Sequence, residues 1–167
     1  MSQELETSMA SGPHSQLLKL QGHWEGTNKV WFEPGDPVDQ SSVTGSMKLI
    51  FDGRYILYEY TGSFQGNPLE GMAIIGYDLN MKRYQIAWID SFHTGTSILF
   101  SEGERGSEEP SVLGSYTYIA PEGETTWGWR TTIEVINDDE IVFRAFNVIP
   151  GAGDVKATET IYKRKAV

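Results

Sequence analysis

Thr126-Trp127-Gly128-Trp129-Arg130-Thr131-Thr132-Ile133-Glu134-Val135-Ile136 is the stretch on which the fold turns. Trp127, Trp129, Thr131, Ile133 and Val135 occupy alternate positions, and Gly128, Arg130, Thr132 and Glu134 fill the gaps. That period of two marks a strand with one buried face, because successive Cβ atoms leave opposite sides of a pleated ribbon.

The same texture extends in both directions. Downstream, Asn137-Asp138-Asp139 turns the chain into a strand over 141–149, and Pro150-Gly151-Ala152-Gly153-Asp154 leads to a last strand over 155–164. Upstream, Pro121-Glu122-Gly123-Glu124 separates off a strand over 111–119, and a charged loop over 102–110 precedes that. Further strands are predicted over 24–32, 42–51, 54–64, 70–77, 83–92 and 94–100. Asp52-Gly53 joins two of them, a hairpin signal because a tight primed turn needs positive φ. Residues 14–20 predict one or two helical turns ended by Gly22, and residues 1–13 read as a disordered tail. The domain proper is therefore 14–167.

No stretch alternates helix with strand, so a parallel sheet is disfavoured. Ten strands in one flat sheet would expose long unpaired edges, and closing the sheet into a tube removes them. The expected fold is all-β: a single antiparallel barrel of about ten strands with a short N-terminal helix, a two-sheet sandwich being the alternative.

The 167 residues suit one domain. A formal charge of −10 argues against nucleic-acid and anionic-membrane partners, both of which need a basic face. The chain has no cysteine, which excludes disulfides, thiolate chemistry, Cys-ligated zinc and iron–sulfur sites and is compatible with a cytoplasmic home. The first 13 residues show no signal-peptide pattern, and no apolar run approaches the roughly 20 residues that span a bilayer.

Gly22-His23-Trp24 opens the first strand and Tyr162-Lys163-Arg164 ends the last. This pairing resembles the calycins, the lipocalins and fatty-acid-binding proteins, whose first-strand Gly-x-Trp closes the barrel bottom under a basic residue of the last strand. The resemblance implies that Gly22 and Trp24 close this barrel with Arg164 across the indole, Lys163 being the second choice. A broader resemblance rests on Gly22-x-Trp24-x-Gly26, Gly53-Arg54-Tyr55, Glu59-Tyr60, Leu69-Glu70-Gly71, Gly76-Tyr77-Asp78, Trp88-Ile89-Asp90-Ser91 and Thr94-Gly95. These are similar to the bacterial domain-of-unknown-function family numbered fifteen seventy-nine. It is regarded as calycin-like and has no established activity, so it implies the fold and is nearly silent about function.

Asp90, Ser91 and His93 in one stretch invite a catalytic-triad reading. Strand geometry opposes it: residues on the same face lie about 7 Å apart, where a nucleophile and its base need roughly 3 Å. On a continuous strand Asp90 also points away from His93 and cannot orient its ring. Charged residues inside strands, Glu59, Asp90, Arg130 and Arg144 among them, either line a polar lumen or form exterior ion pairs. Resemblance to fatty-acid-binding proteins implies Arg130 and Arg144 as a carboxylate clamp. Tyr60, Trp88, Trp127 and Trp129 supply flat apolar area with a polar handle, for core or for ligand. Three histidines in no ligand pattern predict no zinc site, and His93 is the candidate for holding haem.

The expected function is binding of a small hydrophobic or amphipathic molecule in the barrel, with Glu59, Tyr60, Trp88, Asp90, Trp127, Trp129, Arg130 and Arg144 as candidate contacts and no cofactor. The alternatives are an enzyme in the same cavity, with Asp90 or Glu59 as acid–base group, a haem barrel, or a ligand-free interaction module that works as a homodimer.

Overall fold

A computed structural model describes residues 1–166. Two helices, α1 (Gln3–Ser11) and α2 (Pro13–Leu20), precede ten strands: β1 (Gly22–Val30), β2 (Asp39–Ile50), β3 (Tyr55–Phe64), β4 (Asn67–Asp78), β5 (Arg83–Asp90), β6 (Leu99–Glu102), β7 (Ser111–Ala120), β8 (Gly123–Asn137), β9 (Glu140–Ile149) and β10 (Gly153–Arg164). Each strand pairs antiparallel with its neighbour in sequence, and β1 pairs with β10, so the sheet closes, although the short β6 pairs with β7 only through Ser101 and Glu102.

The period of two becomes the inside and outside of this barrel. Trp129 and Ile133 of β8 are buried, as are Ile56 and Tyr58 of β3 and Ala73 and Ile75 of β4. The Asp52-Gly53 hairpin has a four-residue loop, 51–54, between the paired Ile50 and Tyr55. Phe51, Asp52 and Gly53 all take positive φ there (50°, 55° and 80°), the conformation that signal demands.

The seam explains the pairing seen at the two ends of the sequence. Trp24 stands opposite Arg164 in the β1–β10 register, and the guanidinium carbon sits 4.2 Å from the centre of the indole ring. Arg164 also donates to the carbonyls of Lys19, Gln21 and Asp138, tying both helix end and β8–β9 turn to the barrel floor. Trp24, 1 % exposed, donates from Nε1 to the Leu20 carbonyl. Burial of the ring and a cation over its face act together here.

Residues 3–11 are helical, where the sequence predicts a disordered tail. The Ser2 side chain accepts from the Leu5 amide, Glu4 and Glu6 sit in the first turn, and Leu5 and Ser8 are buried. The polar composition hides a helix that turns Leu5 and Met9 inward and leaves Ala10 exposed. Met9 reaches Gly53, where an added Cβ would meet it at 2.6 Å. With Leu17 and Leu20 at 2 % exposure, the two helices plug the lower end. The upper end is ringed by the loops 31–38, 65–66, 91–98, 121–122 and 150–152. No helix is long and apolar enough to cross a membrane among the described residues.

Candidate functional site

The strand β5 stops at Asp90, two residues before the sequence predicts. The Asp90 carboxylate takes over the chain's direction: Oδ1 accepts the amides of Phe92 (3.1 Å), Thr94 (3.0 Å) and His93. Thr94 Oγ1 accepts the Asp90 amide at 2.7 Å and donates to the Asp90 carbonyl at 3.0 Å. Such side-chain bonds to the local backbone compete with the sheet ladder and win at turns. The chain folds back over the strand end and brings the His93 ring onto Asp90, with Nδ1 2.6 Å from Oδ2. The continuous-strand argument that Asp90 cannot orient His93 is therefore corrected: the two groups meet because the strand ends.

Oδ2 accepts a further bond from the Tyr60 hydroxyl at 3.2 Å, and that hydroxyl accepts from Trp88 Nε1 at 2.9 Å. The result is one buried polar network over β3, β5 and the following turn. Burial alone would raise the Asp90 carboxyl. The bond and charge of His93, with the Thr94 and Phe92 amides, outweigh it and hold Asp90 below the ordinary aspartate value. Burial, with the nearby Asp90 charge, pushes the Tyr60 phenol far above the usual tyrosine range, so it stays a donor. Gly71, opposite Tyr60 in the β3–β4 register, makes this possible, since a Cβ there would collide with the Tyr60 ring.

Beneath the turn lies an interior cavity of about 90 Å³. One wall is Tyr58, stacked at 5.1 Å on both Tyr60 and Phe143. The other is Trp88 stacked on Trp129 at 5.6 Å, with the His93 ring 5.4 Å from Trp88 and 5.6 Å from Trp129. Asn28, Thr131, Thr158 and Thr160 add polar edges. Asn28 Oδ1 already accepts from Thr160 at 2.8 Å. His93 Nε2 has no protein partner among the described residues. A larger concavity of about 1030 Å³ lies outside the barrel across β1–β5. It is an open saddle with exposed Thr44, Thr61 and Glu70 on its lining, and it removes little of any ligand from water.

The structure thus brings Tyr60, Trp88 and Trp129 to the cavity and places Asp90 behind His93. Trp127 packs higher up, 6.3 Å from Tyr116 and 6.1 Å from Tyr118. Glu59 points outward to Lys48 at 3.4 Å, so it cannot be an acid–base group in the cavity. Arg130 pairs with Asp154 at 2.7 Å. Arg144 borders the cavity, but its guanidinium is spent on Glu134 (2.6 Å) and Glu159 (2.9 Å). The carboxylate clamp implied by resemblance to fatty-acid-binding proteins is corrected: the outward positions of β8 and β9 carry ion pairs, as alternation from Trp129 and Phe143 requires. The 90 Å³ of space beside His93 is smaller than a porphyrin, and no group of three metal-ligating side chains occurs among the described residues. Asn28 and Phe143 join the site beyond the residues expected from sequence, and Gly71, part of the family-like Leu69-Glu70-Gly71, gains its role from contact with Tyr60. Asn28 was legible, because it shares the inward phase of Trp24 on β1.

Comparison with known proteins then fixes the relationship. The family described as Protein of unknown function (DUF1579) matches residues 9–164. The chain belongs to this family. The DUF1579 match runs from the end of α1 to the last residue of β10 and includes the whole Asp90–His93–Tyr60 network. No curated protein matches this DUF1579 chain. A solved structure, "Crystal Structure of Rv2717c from M. tuberculosis", is similar with a TM-score of 0.59 at 11% identity, over 93% of this chain and 99% of that one. At that identity the likeness speaks for the fold alone.

Proposed function

We propose that this DUF1579 protein binds a small amphipathic molecule of about one ring inside the upper barrel, between the Tyr58–Tyr60–Phe143 and Trp88–Trp129 walls. The observation that carries it is the cavity itself, where the aromatic faces meet the ring of His93, whose Nε2 has no protein partner among the described residues. Drug-sized pockets run to about 300–1,000 Å³, and an apolar cavity of about 150 Å³ takes up benzene. At 90 Å³ the cavity is smaller than these, so its occupant is no larger than a single small ring and an extended fatty-acyl chain does not fit. Binding would draw on desolvation of apolar ligand surface, at roughly 25 cal/mol per Å², with polar contacts at one edge for orientation.

The test is an NMR titration with a panel of single-ring compounds. The indole N–H signals of Trp88 and Trp129 should shift together and saturate, while those of Trp24 and Trp31 stay in place. Shifts confined to outer-face residues of β1–β5, or none at all, would refute the proposal.

A further inference from the structure

We infer that the molecule held in the cavity is a neutral hydrogen-bond donor, a hydroxy-aromatic or N–H heterocycle, whose donor bonds to Nε2 of His93. The inference rests on reading the cavity as a binding site and adds the chemical class of its occupant.

An ionised carboxylate only accepts, so Nδ1 of His93, 2.6 Å from Asp90 Oδ2, must carry the proton. Whenever the ring is neutral it has one donor and one acceptor, and the acceptor is then Nε2. Thr131, Thr158 and the Asn28 amide nitrogen keep bonding capacity on β8, β10 and β1, while the polar group beside His93 is already spent. The Tyr60 hydroxyl donates to Asp90 and accepts from Trp88. Thr160 donates to Asn28. What the aromatic walls leave unsatisfied on the His93 side is one acceptor, and a ring without a donor would bury it unpaired, at a cost in affinity.

Charge narrows the class further. The Asp90 side chain is fully buried directly behind the imidazole, and burial strengthens its field. With His93 neutral, no cation among the described residues offsets it within the cavity: Arg144 is held by Glu134 and Glu159, and Arg130 by Asp154. An anionic ligand meets a lone pair backed by a negative charge, and is rejected. Neutral donors are accepted.

Calorimetry at about pH 8, where an ordinary imidazole is neutral, with phenol, toluene and benzoate, which share one ring and differ at one substituent, tests this on the full chain. Phenol should bind about tenfold more tightly than toluene, the worth of one hydrogen bond to a buried acceptor, and benzoate should not bind. His93→Phe keeps the ring and removes the acceptor, so the phenol-to-toluene ratio should fall to about one while toluene still binds. Asp90→Asn, whose amide can donate to Nδ1 and turn Nε2 into a donor, should also abolish the phenol preference; if that variant does not fold, His93→Phe decides. Equal binding of phenol and toluene by the natural chain overturns the inference and leaves the cavity reading standing. So does a phenol preference that survives His93→Phe. Binding of neither ring overturns both.

Discussion

At the scale of single residues, Asp90 carries more than its strand position suggests. Its carboxylate accepts from Tyr60, His93 and three turn amides, and it sits in full burial. Asp90→Ala should therefore destabilise the chain by about 3 kcal/mol in urea unfolding, since it strands buried donors. Its folded pKa lies below its unfolded one, so its contribution is complete above the ordinary aspartate value of 3.8 and is lost as pH falls below it. Gly71 gives a second prediction. Gly71→Val should push Tyr60 off Asp90, cost about 1–3 kcal/mol by overpacking, and alter Trp88 emission as Tyr60 leaves its indole N–H. Unchanged Trp88 emission would separate Gly71 from the network. The inward aromatics Tyr60, Trp88 and Trp129 were readable from alternation alone. The Asp90–His93 contact was not, because period two describes a strand and says nothing of where a carboxylate will end one.

At the scale of elements, most strands were legible; the strand predicted over 94–100 forms only as β6 at Leu99–Glu102, and the N-terminal cap was not legible. Strands announce themselves by alternation and turn residues, whereas α1 buries only Leu5 and Ser8 and stands on its Ser2 cap and on contact with the barrel. The two helices are pinned to each other through buried His14, whose Nδ1 lies 2.9 Å from Ser8 Oγ, and to the barrel through Tyr84, which donates to the Pro13 carbonyl at 3.3 Å. Burial, opposed by a bond to the Arg54 backbone and aided by the Arg54 charge, lowers the His14 pKa below 6.5. Folding thus favours the neutral ring. The stability it contributes is complete above pH 6.5 and declines as pH falls below that value. Amide hydrogen exchange in residues 3–20 should accelerate relative to the barrel strands on acidification through this range, and His14→Gln should flatten the effect. Equal acceleration in cap and strands would refute it.

At the scale of the whole molecule, closure depends on aromatic hydroxyls facing inward from separate strands. Tyr58 and Tyr162 share a 2.7 Å bond across the core, and burial pushes both, with Tyr60 and Tyr84, above the ordinary tyrosine value of 10.0. Raised pKa values mean stability that is complete below pH 10.0 and lost above it, as the unfolded chain sheds protons the barrel retains. Thermal unfolding should stay level across the mildly alkaline range and then drop steeply, and Tyr58→Phe should soften the drop. Period two, the seam residues Trp24 and Arg164, and the need to hide edges made the barrel readable. The size of the cavity was not, because it depends on which inward rings stack on each other. In the proposed site a buried carboxylate fixes one imidazole so that Nε2 of the neutral ring is an open acceptor of the barrel. Long-range ¹H–¹⁵N correlation spectra of His93 at about pH 8, where an ordinary imidazole is neutral, test it most directly. A proton on Nδ1 and a bare Nε2, reversed in Asp90→Asn, is the predicted result; a proton on Nε2 in the natural chain would contradict it.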